Sequence, residues 1–218
     1  MHKSVLNLNS VENEIKKIEN NFNKAEIIAI SKTFPITDIL PLIEHGHTHF
    51  GENKIQEAIE KWSEIKKKKK NLRLHFVGNL QTNKVKFVIP LFDYIHSLDN
   101  FKLAAKIASQ QIKINFKPKI FIQVNIGDEV QKNGVSVNEL DSFIINCQKN
   151  LELDIIGLMC IPPNNNNTEK YFLEMKKLNK KFGFTELSMG MSDDYLLAIN
   201  HSSTFVRIGT KIFGSRVK

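Results

Sequence analysis

The sequence predicts an α/β protein that folds as a single (β/α)8 barrel of the TIM type, preceded by an extra N-terminal helix. Strand-like and helical segments alternate eight times, with about 25 residues from the start of one strand to the next, the length that a strand, a helix and two loops require. Several strands are apolar without strict alternation, which is typical of parallel strands covered on both faces. An open doubly wound sheet is the alternative architecture.

Eight segments have the apolar, β-branched and aromatic composition of strands. They are Glu26–Ser31, His49–Gly51, Arg73–Gly78, Asp93–Ser97, Lys119–Ile126, Leu153–Cys160, Thr185–Gly190 and Thr204–Gly209. The chain has 218 residues, of which 41% are hydrophobic and 25% charged, which suits one globular barrel domain without a linker. One domain is therefore predicted over residues 1–218, with the N-terminal helix in about 1–24 and the barrel in 25–216.

The segments between the strands carry apolar stripes at helical spacing. In Asn53–Ile65 and in Thr168–Phe182, large apolar residues recur every three or four positions. Ser136 and Glu139 have the spacing of a capping box ahead of another apolar stretch. The extra helix is predicted over Ser10–Phe22, before the first strand.

The net charge of +8 raises the question of a nucleic-acid partner. Five of the positive charges lie in one run, Lys66–Lys70, which has no interleaved aromatic residues, and the rest of the chain shows no basic stripe. Such a run is typical of a solvated helix end and loop, with a polyanion-binding patch as the alternative. No nucleic-acid partner is therefore expected.

Membrane insertion and secretion are not expected either. No apolar run approaches the length of about 18 residues that a membrane-spanning helix needs, and Met1–Asn7 contains no apolar signal-peptide core. Cys147 and Cys160 cannot build a disulfide scaffold, and their spacing matches no zinc motif. A cytoplasmic protein without a membrane partner is the expectation.

Polar residues follow the predicted strands at the end where a barrel gathers its functional groups. The first strand is followed by Lys32, and the last two end in Ser188–Ser192 and Arg207–Thr210, where glycine stands beside hydroxyl residues just before a helix. Backbone N–H groups in such loops bind anions, and loops after strands seven and eight commonly hold phosphate. Asp193–Asp194 counts against an anion unless the side chains point away. The alternative is that Ser192 caps the next helix.

Lys32 follows an apolar strand and faces the predicted anion site. Removal from water favours the neutral form of an amine, which can attack an aldehyde to form a Schiff base. A phosphorylated aldehyde cofactor would use the lysine and the anion site together. An ordinary solvated lysine is the alternative.

Histidines offer a hypothesis of a different class. His45, His47 and His49 alternate, and a His-x-His pair on a barrel strand can bind zinc, so a metal-dependent hydrolase is an alternative. A surface cluster is the favoured interpretation, because Gly46 is typical of a helix end, and no metal site is predicted. His75 is interpreted as a hydrogen-bonded histidine lining the barrel, with a catalytic base as the alternative.

Six ordered motifs cover nearly the whole chain, from about Ala25 to Arg216. They are Ile30–Thr33, Phe50–Asn53, His75–Lys84, Gly157–Met159, Leu187–Asp194 and Val206–Gly214. Together they resemble the signatures of the pyridoxal phosphate homeostasis protein family, the single-domain relatives of the alanine racemase N-terminal barrel. The resemblance implies a role in pyridoxal phosphate homeostasis on the barrel fold.

The resemblance also implies pyridoxal 5′-phosphate as the cofactor. The cofactor-binding residues that it implies are Lys32, Asn53, Ser192, Arg207, Gly209 and Thr210. Lys32 would form the Schiff base, Ser192 and the Gly209–Thr210 backbone would hold the phosphate, Arg207 would face the pyridine nitrogen, and Asn53 would lie near the ring.

Arg207 bears on whether the chain is an enzyme. A charged guanidinium beside the pyridine nitrogen disfavours its protonation, and an unprotonated ring is a poorer electron sink. The chain also ends at Lys218, without the second domain of a racemase of this barrel type. The expectation is a cofactor carrier with little or no catalysis of its own, and a racemase-like enzyme is the alternative. The expected partners are the cofactor and apoenzymes that use it, with the chain a monomer or weak homodimer.

Overall fold

Eight parallel strands close into a barrel in the order of the chain, and the first strand pairs with the last. The structure is a computed structural model that describes residues 1–18, 24–163, 165 and 167–215. The predicted (β/α)8 barrel is confirmed, and its closure excludes the open sheet. The predicted extra helix before the first strand is also present.

Each predicted strand overlaps one strand of the barrel. The strands are β1 (Glu26–Ile30), β2 (His49–Glu52), β3 (Arg73–Phe76), β4 (Tyr94–Leu98), β5 (Lys119–Gln123), β6 (Ile155–Met159), β7 (Glu186–Met191) and β8 (Phe205–Ile208). Ile30 of β1 pairs with Gly51 of β2, and Ile28 of β1 pairs with Arg207 of β8. The carboxyl ends of β1, β2 and β8 therefore lie side by side.

Helices precede, connect and follow the strands on the outside of the barrel. They are α1 (Lys3–Lys16), α2 (Ile36–Glu44), α3 (Ile55–Lys68), α4 (Val85–Val88), α5 (Phe101–Ile114), α6 (Leu140–Ile145), α7 (Thr168–Lys181), α8 (Tyr195–Asn200) and α9 (Thr210–Phe213). Short 3-10 turns span Thr82–Lys84 and Val137–Glu139, and a π-helical turn spans Asn146–Asn150. Within the described ranges, no helix is both long and apolar enough to cross a membrane.

Two of the predicted helices have nearly the predicted bounds. Asn53–Ile65 corresponds to α3, and Thr168–Phe182 corresponds to α7. The predicted capping box does not form, because the Ser136 hydroxyl donates to the Glu139 carboxylate at 2.7 Å instead of capping a backbone N–H.

The N-terminal helix begins earlier than the predicted Ser10–Phe22. Its buried apolar stripe starts at Val5 and ends at Ile15, so the helical repeat that faces the barrel already begins in the first residues. The prediction was wrong at this end because asparagine and serine in the first turns weaken the helical signal of the sequence. Residues 19–22 of the predicted helix lie outside the described residues.

The core has two layers of apolar side chains. The inside of the barrel holds Ile28, Ile30, Tyr94, Phe121, Met159 and Phe205, and a larger cluster fills the space between strands and helices. Gly51 makes room for the inner layer, since a Cβ there would come within 2.5 Å of the Ile30 side chain. A barrel interior filled in this way is not a pore, so ligands bind at its mouth.

The lysine run closes α3, as the sequence predicts. Lys66 is tied to the barrel, since its ammonium donates to the Leu91 carbonyl at 2.7 Å and pairs with Asp93. Lys67 pairs with Glu64 on the surface. Lys66 is therefore held by the barrel and is not solvated as predicted, whereas Lys67–Lys70 are exposed.

Candidate functional site

A pocket of about 240 Å³ opens at the carboxyl end of the barrel. It is lined by residues at the ends of strands and in the loops after them: Ile30, Lys32, Val77, Ile161, Met191, Ser192, Asp193, Arg207, Gly209 and Thr210. Five of the six predicted cofactor-binding residues therefore share one pocket, although they come from opposite ends of the chain. The sixth, Asn53, directly follows β2 and is not among the lining residues.

The residue before Lys32 is anchored in the barrel. Ser31 is fully buried, and its hydroxyl donates to Glu52 Oε1 at 2.7 Å. The same carboxylate oxygen accepts from the Lys61 ammonium at 2.9 Å and from the Trp62 indole N–H at 3.0 Å. Lys61 also donates to the Ser31 carbonyl at 2.9 Å. These bonds fix the backbone from which the Lys32 side chain leaves.

The residue after Lys32 is held by a second carboxylate. Thr33 has a φ of 70°, a left-handed conformation that is uncommon for a β-branched residue. Its N–H donates to Glu57 Oε1 at 2.5 Å, and Glu57 in turn pairs with Lys61 at 2.9 Å. A strained backbone that persists is held by its surroundings, and strain of this kind clusters at functional sites.

Ser192 turns its hydroxyl toward the start of α9. Its Oγ lies 3.3 Å from the Gly209 nitrogen and 3.5 Å from the Lys211 nitrogen, and it accepts a hydrogen bond from each N–H. The N-cap of α8 is Asp194, so the alternative interpretation of Ser192 as the cap of that helix is wrong. Ser192 and Gly209 both line the pocket, so a hydroxyl and a backbone donor meet at its wall.

The loop after β7 takes its shape from Gly190. Its φ is 90°, and a Cβ there would lie 2.5 Å from the Ala198 Cβ. Asp194 Oδ1 accepts a hydrogen bond from the Met191 N–H at 2.6 Å, so this carboxylate is used within the loop. Asp193 lines the pocket. Only one of the two acidic side chains therefore belongs to the pocket wall.

Arg207 lines the pocket and is only 5% exposed. Its Nη1 donates to the Ser188 hydroxyl at 2.8 Å, and its Nη2 donates to the Cys160 carbonyl at 2.9 Å. Burial lowers the pKa of Arg207 from its ordinary value, but a guanidinium stays protonated in proteins. Each Nη carries a second N–H, so the group has donors left for a ligand.

Two histidines lie fully buried inside the barrel beneath Arg207. His75 bonds on both ring nitrogens, to His96 and to His49, at 2.9 Å each. Burial lowers the pKa of His75 and His96 well below the ordinary value, so both are neutral near pH 7. His75 is therefore a hydrogen-bonded histidine of the barrel interior, as the sequence predicts, and it does not line the pocket.

The three alternating histidines do not form the predicted surface cluster: only His45 is exposed, and the three rings have three different partners. His45 bonds to the Asn9 side chain, His47 to the His49 carbonyl and His49 to the His75 ring. Over the described ranges, no cluster of histidine, cysteine and acidic side chains has the arrangement that could hold a metal ion. The geometry therefore gives no support to the hydrolase alternative.

Two groups that shape the site were not predicted as such. One is Ser188 with His96 beneath Arg207, and the other is Lys61 with Trp62 around the Glu52 carboxylate. A histidine inside an otherwise apolar strand, like His96 in β4, is a signal of a buried polar network. Nothing in the sequence shows how far Lys61 reaches, because that depends on how α3 packs against β2.

The family model described as the alanine racemase N-terminal domain matches residues 6–217 of the chain. The chain belongs to this family. The pyridoxal phosphate homeostasis protein of Haemophilus influenzae is 38% identical, over 96% of this chain and 94% of that protein. The protein of the same name from Aquifex aeolicus is 36% identical, over 89% and 88%. The membership predicted from the six motifs is thereby confirmed.

Solved structures of similar proteins have the same barrel. PipY of Synechococcus elongatus, solved with PLP bound, superposes with a TM-score of 0.85 at 30% identity and covers 97% of this chain and 100% of its own. An alanine racemase of Clostridium difficile has a TM-score of 0.72 at 16% identity, over 98% of this chain and 56% of the racemase. At that identity, the likeness to the racemase shows the fold alone.

Proposed function

We propose that this chain binds pyridoxal 5′-phosphate in the pocket at the carboxyl end of the barrel, with Lys32 as the amine that attaches it, and that it carries this cofactor and maintains its supply. The observation that carries the proposal is the meeting of Lys32, Arg207, Ser192, Gly209 and Thr210 around one pocket. Relatives named for pyridoxal phosphate homeostasis and the PipY structure with PLP bound support it.

The chemistry of the donors at the α9 wall fits a phosphate group. Ser192 and the N–H groups of Gly209 and Lys211 already form hydrogen bonds with one another, and phosphate oxygens accept from both kinds of donor. Thr210 adds an exposed hydroxyl at the pocket edge. When bound, the cofactor supplies an aldehyde that condenses with a primary amine, together with a ring that withdraws electrons.

Apolar and cationic walls fit the ring. Ile30 and Val77 line the pocket and provide apolar contact, and Arg207 lines the same pocket with its guanidinium. A guanidinium is a donor only, so Arg207 facing the pyridine nitrogen keeps that nitrogen as an unprotonated acceptor. An unprotonated ring withdraws electrons poorly, so the removal of a proton from a bound amino acid receives little stabilisation.

The side-chain carbonyl oxygen of Asn53 is available as a hydrogen-bond acceptor. Its Oδ1 is buried and receives no hydrogen bond from the described part of the chain. Buried acceptors without a donor cost about 1–3 kcal/mol, so a ligand that donates there gains affinity. A place for Asn53 beside the ring is part of the proposal.

The composition of the pocket wall favours carriage over catalysis. The pocket-lining residues that the structure describes include no histidine, tyrosine or cysteine, and Asp193 is the one carboxylate among them. A racemase needs acid/base groups on both faces of its substrate, and Lys32 serves one face. Deuterium exchange at the α-carbon of added amino acids tests this: exchange near the rate of free cofactor is expected, and rapid exchange that Asp193→Asn abolishes would contradict the carrier role.

Cofactor binding is tested by absorbance. Wild-type protein mixed with pyridoxal 5′-phosphate should gain a visible band, and Lys32→Ala should lose it. Lys54→Ala is the matched control, because Lys54 is an exposed lysine at the same end of the barrel. A band of equal strength in Lys32→Ala would overturn the proposal.

Carriage needs a separate measurement. Loaded protein is incubated with an apoenzyme that depends on pyridoxal 5′-phosphate. Recovery of enzyme activity together with loss of the visible band is expected. Retention of the cofactor through repeated exposure to apoenzyme would contradict carriage and leave binding intact.

A further inference from the structure

Five polar side chains form one continuous line through the barrel, from the pocket toward the opposite mouth. Arg207 Nη1 lies 2.8 Å from Ser188 Oγ, which lies 3.0 Å from His96 Nδ1. His96 Nε2 lies 2.9 Å from His75 Nδ1, and His75 Nε2 lies 2.9 Å from His49 Nδ1. The line crosses the interior between β4 and β7, which are not neighbours in the barrel.

The first bond of this line has only one possible direction. A guanidinium can donate but cannot accept, so Ser188 Oγ accepts from Arg207. In the described structure, the other partner of Ser188 Oγ is His96 Nδ1. The hydroxyl proton therefore goes to His96 Nδ1, because a buried hydroxyl that donates to nothing costs free energy.

The remaining directions follow one after another. His96 accepts on Nδ1, so its proton is on Nε2 and is donated to His75 Nδ1. His75 is then also protonated on Nε2 and donates to His49 Nδ1. Both buried rings are neutral, since a second proton on either would place two donors face to face. His49, at the end of the line, must keep its Nδ1 free of a proton to accept.

We propose that Arg207 sets the direction of this line and that the line in turn positions Arg207. All three histidines are then neutral and carry their proton on Nε2, and Ser188 and His96 are positioning residues for the guanidinium. The hydrogen-bond line itself needs no ligand, whereas its effect on a cofactor rests on the proposed function.

The packing of the line holds the rings in the orientation that the bonds require. His75 stacks on Tyr94 at a centroid distance of 4.2 Å, and His96 stacks on Phe121 at 4.3 Å. Stacked rings cannot rotate to exchange their nitrogens without breaking the packing. The order of nitrogens along the line is therefore fixed by the core as well as by the bonds.

The far end lies among charges of both signs. The charges of Glu26 at the start of β1 and Asp93 just before β4 raise the pKa of His49, and the charge of Arg73 at the start of β3 lowers it. His47, two residues earlier in the chain, interacts electrostatically with His49 as well. Burial is the largest influence and lowers the pKa of His49. A neutral His49, as the line requires, is consistent with this surrounding.

Nitrogen NMR of protein labelled with ¹⁵N-histidine, without cofactor, tests the direction. Wild type should show unprotonated Nδ1 and protonated Nε2 for His49, His75 and His96 at neutral pH. Arg207→Lys, which still can only donate, should keep this pattern. Arg207→Met should give mixed tautomers as far away as His49. A proton on Nδ1 of His75 or His96 in wild type, or an unchanged His49 in Arg207→Met, would overturn the proposal.

The positioning role is tested by cofactor titration. Ser188→Ala removes the acceptor of Arg207 Nη1 and should weaken pyridoxal 5′-phosphate binding several-fold, whereas the exposed variant His45→Gln should not. Equal affinity in Ser188→Ala and wild type would contradict positioning. If wild type itself shows no visible band, the proposed function fails, and the NMR result still decides the hydrogen-bond line.

Discussion

The Lys61 ammonium donates at 2.9 Å to Oε1 of the fully buried Glu52 carboxylate. The same ammonium donates to the carbonyl of Ser31, the residue before Lys32. The ion pair between Lys61 of α3 and Glu52 at the end of β2 therefore also holds the backbone next to Lys32, the proposed cofactor amine. Loss of one partner of a buried pair leaves a buried charge, which is costly.

Lys61→Met is expected to destabilise the protein by about 3 kcal/mol, because Glu52 would stay buried with its charge unpaired. The measurement is the midpoint of urea unfolding at unchanged slope. Lys67→Met is the matched control on the same helix, and since the Lys67–Glu64 pair is exposed, the midpoint should hardly move. Equal effects of the two substitutions would contradict the structural role of Lys61.

Stability should fall with acid between about pH 6.5 and pH 5. The pKa values of His75 and His96 are lowered by burial in the folded state, so on unfolding both return to an ordinary value near 6.5. Below that pH the unfolded state binds more protons than the folded state, and the free energy of unfolding drops by up to about 1.4 kcal/mol per pH unit for each group.

Chemical unfolding across this pH range measures the effect. His96→Phe should reduce the slope of the free energy of unfolding against pH by the contribution of one histidine, independently of its effect on the absolute stability. His45→Gln, at an exposed position, should leave the slope as in wild type. A free energy of unfolding that is constant from pH 6.5 to 5 would contradict the buried neutral histidines.

Gly190→Ala should destabilise the barrel and weaken cofactor binding together. The new Cβ would lie 2.5 Å from the Ala198 Cβ at a φ of 90°, so the loop that carries Ser192 must move. A cost of about 2–4 kcal/mol is expected from strain plus overlap.

Gly183→Ala is the control for the backbone conformation alone. Its φ is also positive, at 69°, but no atom lies within 4 Å of the added Cβ. A cost of about 1 kcal/mol is expected there. If both variants lose the same stability, measured by thermal unfolding, the close approach at Gly190 has no energetic weight.

Ser192→Ala should weaken the binding of pyridoxal 5′-phosphate at least about tenfold, because one hydrogen bond to a charged group contributes about 1.5–3 kcal/mol and each 1.4 kcal/mol is about a factor of ten. Pyridoxal, which lacks the phosphate, should bind both proteins alike. Ser109→Ala on the exposed face of α5 is the control. An equal loss for pyridoxal and its phosphate would show that Ser192 does not contact the phosphate.

The barrel could be predicted because its signals are local. Parallel strands such as β1 and β5 are buried on both faces, so they appear in the sequence as continuous apolar runs. The regular spacing between these runs indicates the helices that connect the strands. The start of α1 could not be predicted in the same way, because its helix is stabilised by packing on the barrel rather than by the propensity of its first turn.

Only those residues of the site that belong to the sequence motifs could be predicted. The resemblance indicated Lys32, Ser192 and Arg207, and these three side chains line one pocket. The contacts beneath them were not predictable: the line from Ser188 to His96 crosses the barrel between strands that are not adjacent. Which side chains meet inside a barrel depends on strand tilt and stagger, which no short pattern records.

Identification of the modified residue shows whether Lys32 is the amine that attaches the cofactor. The protein is mixed with pyridoxal 5′-phosphate, reduced with borohydride, digested and mapped by mass spectrometry. One pyridoxyl group per chain, on Lys32, is expected. The same label spread over the surface lysines, or concentrated on a lysine outside the pocket, would contradict the assignment of Lys32 as the attachment site.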